Sequence, residues 1–271
     1  MVDYKELIRR AEEVIKILES QNKFSTFLSD RYLSLAALYK SCGEFFKAEK
    51  FYKKALILDI KLLGKNHPKI AKDLNNFATL YRAIGKYKKA ENLLKKAIKI
   101  WEKRTSFLPM IAVAYSNLAG GFFSKGEYNK AERFYKKAFE IAENVLGFEH
   151  KVAATILNNL ALIYKRQKKY DKAELYYERA IYIFRKIKKL NHPDMAKIYN
   201  NLGELYRMKG KFKEAENYFY QGINLWEKLL GKNHFGLKIF YENLIKLYED
   251  TGKIFEKEKI LKKLEEISYG A

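Results

Sequence analysis

LGKNHPKIAKDLNNFATLYRAIGKYKKAENLLKKAIKI, residues 63–100, is the stretch that the rest of the 271-residue chain repeats. Its first half carries Ala71, Leu74, Phe77, Ala78 and Tyr81 at the i, i+3, i+4, i+7 spacing of an amphipathic helix, helix A. Pro68 opens that helix, where a missing N–H costs nothing because it would have no partner. Ile84-Gly85-Lys86 forms the turn, with glycine free to adopt positive φ. Helix B follows from Tyr87 and carries Ala90, Leu93, Leu94, Ala97 and Ile98. Ala90 and Ala97 are small where two helices must approach closely.

The pattern recurs outward in both directions. Gly43, Gly85, Gly126, Gly210 and Gly252 occupy the turn, at spacings of 42, 41, 84 and 42, and Lys168 fills the missing place. Four residues before each turn stands an aromatic: Tyr39, Tyr81, Phe122, Tyr164, Tyr206 and Tyr248. Five after it come Ala48, Ala90, Ala131, Ala173 and Ala215, then Lys257; six after it a Glu stands in every copy, from Glu49 to Glu258. Twelve after it stand Ala55, Ala97, Ala138, Ala180, Gly222 and Leu264. A fixed period of this length is the signature of stacked supersecondary units that share one continuous core. The spacing predicts six helix pairs, at about 23–62, 63–103, 104–145, 146–187, 188–229 and 230–267. Residues 1–22 are read as an N-terminal capping helix and 268–271 as a tail. Lys257 and Leu264, in place of close-packing Ala, are read as the C-terminal end of the stack. Gly120-Gly121 inside the third helix A predicts a kink, a weak turn, or a place where a ligand approaches backbone.

The LGKNHP linker, the LNNFATLY helix and the GKYKKAE turn resemble the tetratricopeptide repeat in its longer, kinesin-light-chain-like form. Related wording returns in LGFEHKVAATILNNLALIY and LNHPDMAKIYNNLGELY. The resemblance covers about residues 27–267. It implies an all-α right-handed superhelix of antiparallel helix pairs, with A helices lining a concave groove that binds peptide or protein.

Composition narrows the function classes. Apolar content of 48% supports a core, and no uninterrupted apolar run long enough to span a membrane predicts that none is spanned. The first twenty residues carry acids throughout and lack the apolar centre of a signal peptide. The single Cys42 precludes an internal disulfide and suits a reducing cytoplasm. His67, His150, His192 and His234 share one repeat position. Stacked repeats place such copies about 10 Å apart, whereas zinc needs its nitrogens at about 2.0–2.1 Å. Each is therefore expected to shape the approach to a helix A. Trp101 and Trp226 share a late helix-B position and are read as packing residues. No phosphate loop, HExxH motif or nucleophile–base pair occurs, so no cofactor is expected and an enzyme is the least favoured class.

The candidate binding residues are amides. Asn76, Asn117, Asn159, Asn201 and Asn243 are one position of five successive A helices, and Asn75, Asn158 and Asn200 precede three of them. Asn is a mediocre helix former, so propensity does not explain the recurrence. An amide offers donors and an acceptor and could pair with a peptide backbone of any sequence, or with a neighbouring repeat. Lys72, Arg82, Lys165, Lys197 and Arg207 flank this ladder, and Glu242, Glu249 and Asp250 close it. A groove basic in its middle would favour an acidic protein segment. Two alternatives remain open: a nucleic-acid or polyanion binder, because the net charge is +22, and a self-assembling module.

Overall fold

The computed structural model describes residues 4–21, 24–188, 191–232 and 234–269. Parts of the expected capping segment (1–3, 22) and of the tail (270–271) lie outside the described residues. Among the described residues there are thirteen α-helices and no strand. They are α1 (Tyr4–Ser20), α2 (Thr26–Ser41), α3 (Phe45–Leu63), α4 (Pro68–Ala83), α5 (Tyr87–Trp101), α6 (Leu108–Ser124) and α7 (Tyr128–Leu146). Then follow α8 (Lys151–Arg166), α9 (Tyr170–Lys186), α10 (Pro193–Met208), α11 (Phe212–Leu230), α12 (Lys238–Thr251) and α13 (Ile254–Tyr269), the last running into the expected tail. The chain divides within α7 into two compact units, 1–141 and 142–271. In the first, α1 packs on α2, and α2 to α6 pack successively; in the second, α8 to α13 do the same.

The turn chemistry is uniform. Gly85 takes φ +72°, its N–H bonds the Arg82 carbonyl, and the next N–H, of Lys86, reaches back to Tyr81 at 2.8 Å. Where glycine is missing, Lys168 adopts φ +60° nevertheless, with Lys169 N donating to Tyr164 O at 2.9 Å. The repeat thus imposes a left-handed conformation that costs a non-glycine residue about 1–2 kcal/mol. The helix-A starts are equally consistent. His67, His150 and His192 are N-caps whose Nδ1 accepts from Lys69 N (3.2 Å), Val152 N (3.2 Å) and Asp194 N (3.1 Å). His234 accepts from Gly236 N at 3.0 Å and from Trp226 Nε1 at 3.1 Å. One ring nitrogen of each histidine is therefore occupied by a helix's otherwise unpaired N–H.

Every small position predicted for helix contact is buried, from Ala48 to Ala215. Gly222, the one glycine in its column, is filled by Phe240, whose Cε1 lies 2.4 Å from where a Cβ would stand. The Glu column has a role beyond the helix dipole: it holds the next repeat. Tyr81 Oη donates to Glu49 (3.1 Å), Tyr206 to Glu174 (2.5 Å) and Tyr248 to Glu216 (2.7 Å). Glu91 lines one pocket with Phe122, which has no hydroxyl to donate, and pairs with Lys95 at 2.7 Å, as Glu49 does with Lys53 at 2.6 Å. Helix α1 lies against α2 as a preceding helix B would, with Glu12 accepting from Tyr39.

Gly120-Gly121 does not break α6, which runs continuously through both. With the turn before it, this segment (Thr105–Ser124) is long and apolar enough to cross a membrane by length and composition only. Its apolarity has a packing cause: Ile111, Ala112, Ala114, Tyr115, Leu118, Ala119 and Phe122 are all buried.

A buried acidic pair joins α3 and α4. Asp59 is fully buried and receives Ser29 Oγ and Lys69 Nζ; Asp73 is 1% exposed, and neither of its oxygens meets a protein donor. Burial first, and then the neighbouring Asp59 carboxylate, pushes the Asp73 carboxyl up to about 8. A raised carboxyl keeps its proton in the native state where the unfolded chain has lost it. Its stabilising contribution is complete below the ordinary value of 3.8 and gone once pH rises past about 8. Thermal melts between pH 5 and 8.5 should therefore show a midpoint that falls as the pH rises. Asp73→Asn, which fixes the neutral form, should flatten that limb; an unchanged slope would remove Asp73 as its cause.

Candidate functional site

The A helices place the amides in two unlike states. In the first unit, Asn117 Nδ2 of α6 donates to Asn75 Oδ1 of α4 at 2.9 Å. In the second, Asn201 donates to Asn158 at 3.0 Å and Asn243 to Asn200 at 2.9 Å. Each paired amide is thus a strut between successive A helices. Asn200 and Asn243, both 5% exposed, are the most enclosed of them. Among the described residues Asn159 Oδ1 meets only its neighbour Asn158, at 3.5 Å, and Asn159 and Asn76 are partly exposed, as are the paired Asn75, Asn117, Asn158 and Asn201.

The cations divide likewise. Lys165 is buried and pairs with Glu204 at 2.8 Å; burial pulls its ammonium pKa down, partly offset by that carboxylate. Arg207 Nη1 reaches Asp250 at 2.5 Å, and exposed Lys197 pairs with Asp194 on its own helix at 3.0 Å. Lys72 is exposed, and Arg82 is partly buried; among the described residues neither has a carboxylate partner. The basic middle is therefore largely neutralised by Glu204, Asp194 and Asp250, and uncompensated charge shifts to the first unit. There Lys40, which the sequence reading passed over, joins Arg82. Both stand three residues before a turn, as do Lys165 and Arg207, and that shared position was the signal available.

Part of the +22 charge is structural. In each of six repeats a Lys ammonium sits over the aromatic that precedes the turn. The pairs are Lys47–Tyr39 (5.3 Å), Lys89–Tyr81 (5.4 Å), Lys130–Phe122 (5.7 Å), Lys172–Tyr164 (5.9 Å), Lys211–Tyr206 (5.8 Å) and Lys253–Tyr248 (5.5 Å). All fall within the range of a cation–π contact, about 6 Å. These rings are covered, which leaves them unavailable as a stacking platform for bases.

The profile of the tetratricopeptide repeat family matches residues 30–103, 110–186, 152–228 and 194–254. No curated protein sequence matches. Among solved structures, BtubC (BKLC) from P. vanneervenii is similar at 22% identity over 89% of this chain and 91% of that one, with a TM-score of 0.65. The nearly identical TPR-like repeats of a putative kinesin light chain from Podosopora anserina are similar at 21% identity, over 76% and 98% of the two chains, with a TM-score of 0.57. The Rap conjugation gene regulator of plasmid pLS20, solved in complex with the Phr* peptide, is similar at 16% identity, over 88% and 72%, with a TM-score of 0.65. At these identities the likeness is one of fold.

Proposed function

Because the chain belongs to the tetratricopeptide repeat family, we propose that it is a non-catalytic adaptor whose A-helix faces hold an extended, acidic segment of another protein. The observation that carries this reading is that each unit leaves one partly exposed amide of the column outside the struts, Asn76 in the first and Asn159 in the second, where the other copies are locked between helices. The peptide seated on the Rap regulator is consistent with such a ligand on this fold. The single Cys42, exposed and free, suits work in a reducing cytoplasm. Lysines engaged over their own rings weigh against a nucleic-acid binder.

An extended strand rises about 3.3 Å per residue, so repeats spaced about 10 Å apart meet every third residue of it. Asn76→Ala and Asn159→Ala should each weaken binding of a labelled acidic dodecapeptide by about 0.5–1.5 kcal/mol. Folding should be retained, since Ala is the better helix former. Fluorescence anisotropy measures the first and thermal melting the second. Equal affinity in the parent and the double variant would remove the amides from the contact.

Self-association is a second reading with an observation behind it. Phe46 and Phe255, 86% and 77% exposed, occupy the same position of the first and last repeats. A mass that rises with concentration in light scattering and collapses in Phe46→Ser would favour it.

A further inference from the structure

In the second unit both cations that stand three residues before a turn meet a carboxylate of the next helix A: Lys165 meets Glu204, six residues before the next turn, and Arg207, whose counterpart at that position is Lys246, meets Asp250, two residues before it. The first unit has the cations without the carboxylates. Opposite Lys40 the position is Thr79, whose Oγ1 receives Lys40 Nζ at 2.9 Å while donating to the Asn76 carbonyl at 2.8 Å. Opposite Arg82 it is Gly120. A Cβ there would lie 2.4 Å from Arg82 Nη1 and 3.4 Å from Tyr135 Oη, so the glycine is what lets the guanidinium lie against α6. Among the described residues neither cation has an ion-pair partner, although equivalent Lys165 and Arg207 both do. Lys40 is also half-buried, and burial and the Arg82 charge together pull its pKa down. Two neighbouring cations in partly desolvated surroundings repel each other, and an anion between them removes that cost. Arg82 lies two turns beyond Asn75 on α4, hence on the same helix face as that amide.

We propose that Lys40 and Arg82 are the acid-reading subsite of the peptide face, taking Asp or Glu carboxylates of the bound segment in the place that Glu204 fills within the second unit. This rests on the peptide-binding reading above and adds where its acid preference resides. Thr79 and Gly120 supply no carboxylate of their own: the first offers Lys40 a neutral hydroxyl, and the second leaves room for the Arg82 guanidinium itself.

The test uses the full chain and two labelled dodecapeptides that differ only in having Glu or Gln at four positions. In anisotropy titrations, Arg82→Gln and Lys40→Gln should each weaken the Glu peptide about ten-fold, the order expected for one charge-assisted hydrogen bond. The Gln peptide should change less than two-fold. Gly120→Ala should weaken the Glu peptide several-fold with no change in charge, by displacing the guanidinium. Lys88→Gln, an equal charge loss at an exposed helix-B lysine, should leave both peptides nearly unaffected. If Arg82→Gln does no more than Lys88→Gln while the Asn76 and Asn159 variants still lose affinity, the subsite is wrong and the peptide face stands. If inorganic phosphate at low millimolar concentration displaces the Glu peptide and acetate does not, the pair is a free phosphate site, which also overturns the proposal. If neither peptide binds, both readings fall together.

Discussion

Phe219→Ala should destabilise the second unit by about 3–5 kcal/mol, the range for deleting a fully buried aromatic. Phe219 of α11 is fully buried, and its ring lies on Gly203 of α10, with Cδ1 and Cε1 each 2.5 Å from where a Cβ would stand. The equivalent residue in the first three repeats and the fourth is Ala: Ala36, Ala78, Ala119 and Ala161. The methyl has therefore been exchanged for deeper seating of a ring. The converse substitution tests the same contact from the other side. Gly203→Ala restores the residue of the first four repeats and improves helix propensity by about 1 kcal/mol, yet overpacking against a rigid ring costs about 1–3 kcal/mol. Net destabilisation by both variants in chemical unfolding is expected. A stabilised Gly203→Ala would mean that the ring can leave its seat at little cost.

The second large effect lies in the amide struts. Asn243→Leu should cost about 1–3 kcal/mol, because it leaves the Asn200 amide, 5% exposed, without the partner now at 2.9 Å. Asn200→Leu should cost a similar amount. The double variant should recover much of the loss, since removing both polar partners eliminates the unsatisfied group. A double-mutant cycle in thermal or urea unfolding reads this coupling directly. Strictly additive losses would show that the two amides do not act on each other.

The sequence was most legible where a structural demand is local. A turn needing positive φ favours glycine, so Gly43, Gly85, Gly126, Gly210 and Gly252 announce the period, and Lys168 obeys it despite its side chain. A helix start needs an acceptor for its first N–H groups, so the histidine column could be placed at the approach to helix A, although its role as the cap through Nδ1 emerged only from geometry. The charges of the candidate site were less legible for the opposite reason. Lys165 and Glu204, or Arg207 and Asp250, are about forty residues apart in sequence and meet only because successive A helices lie side by side. Reading one column at a time shows a basic groove; reading two columns together shows which charges cancel. Gly120 illustrates the same limit. Its value lies in a guanidinium brought from another helix, which propensity cannot register.

Hydrogen–deuterium exchange with and without a saturating acidic dodecapeptide tests the central claim most directly. The account predicts new protection on α4, α6, α8 and α10, strongest around Asn76, Arg82 and Asn159, with α5, α9 and α11 unchanged. Protection confined to the helix-B surfaces, or none at peptide saturation, would contradict it.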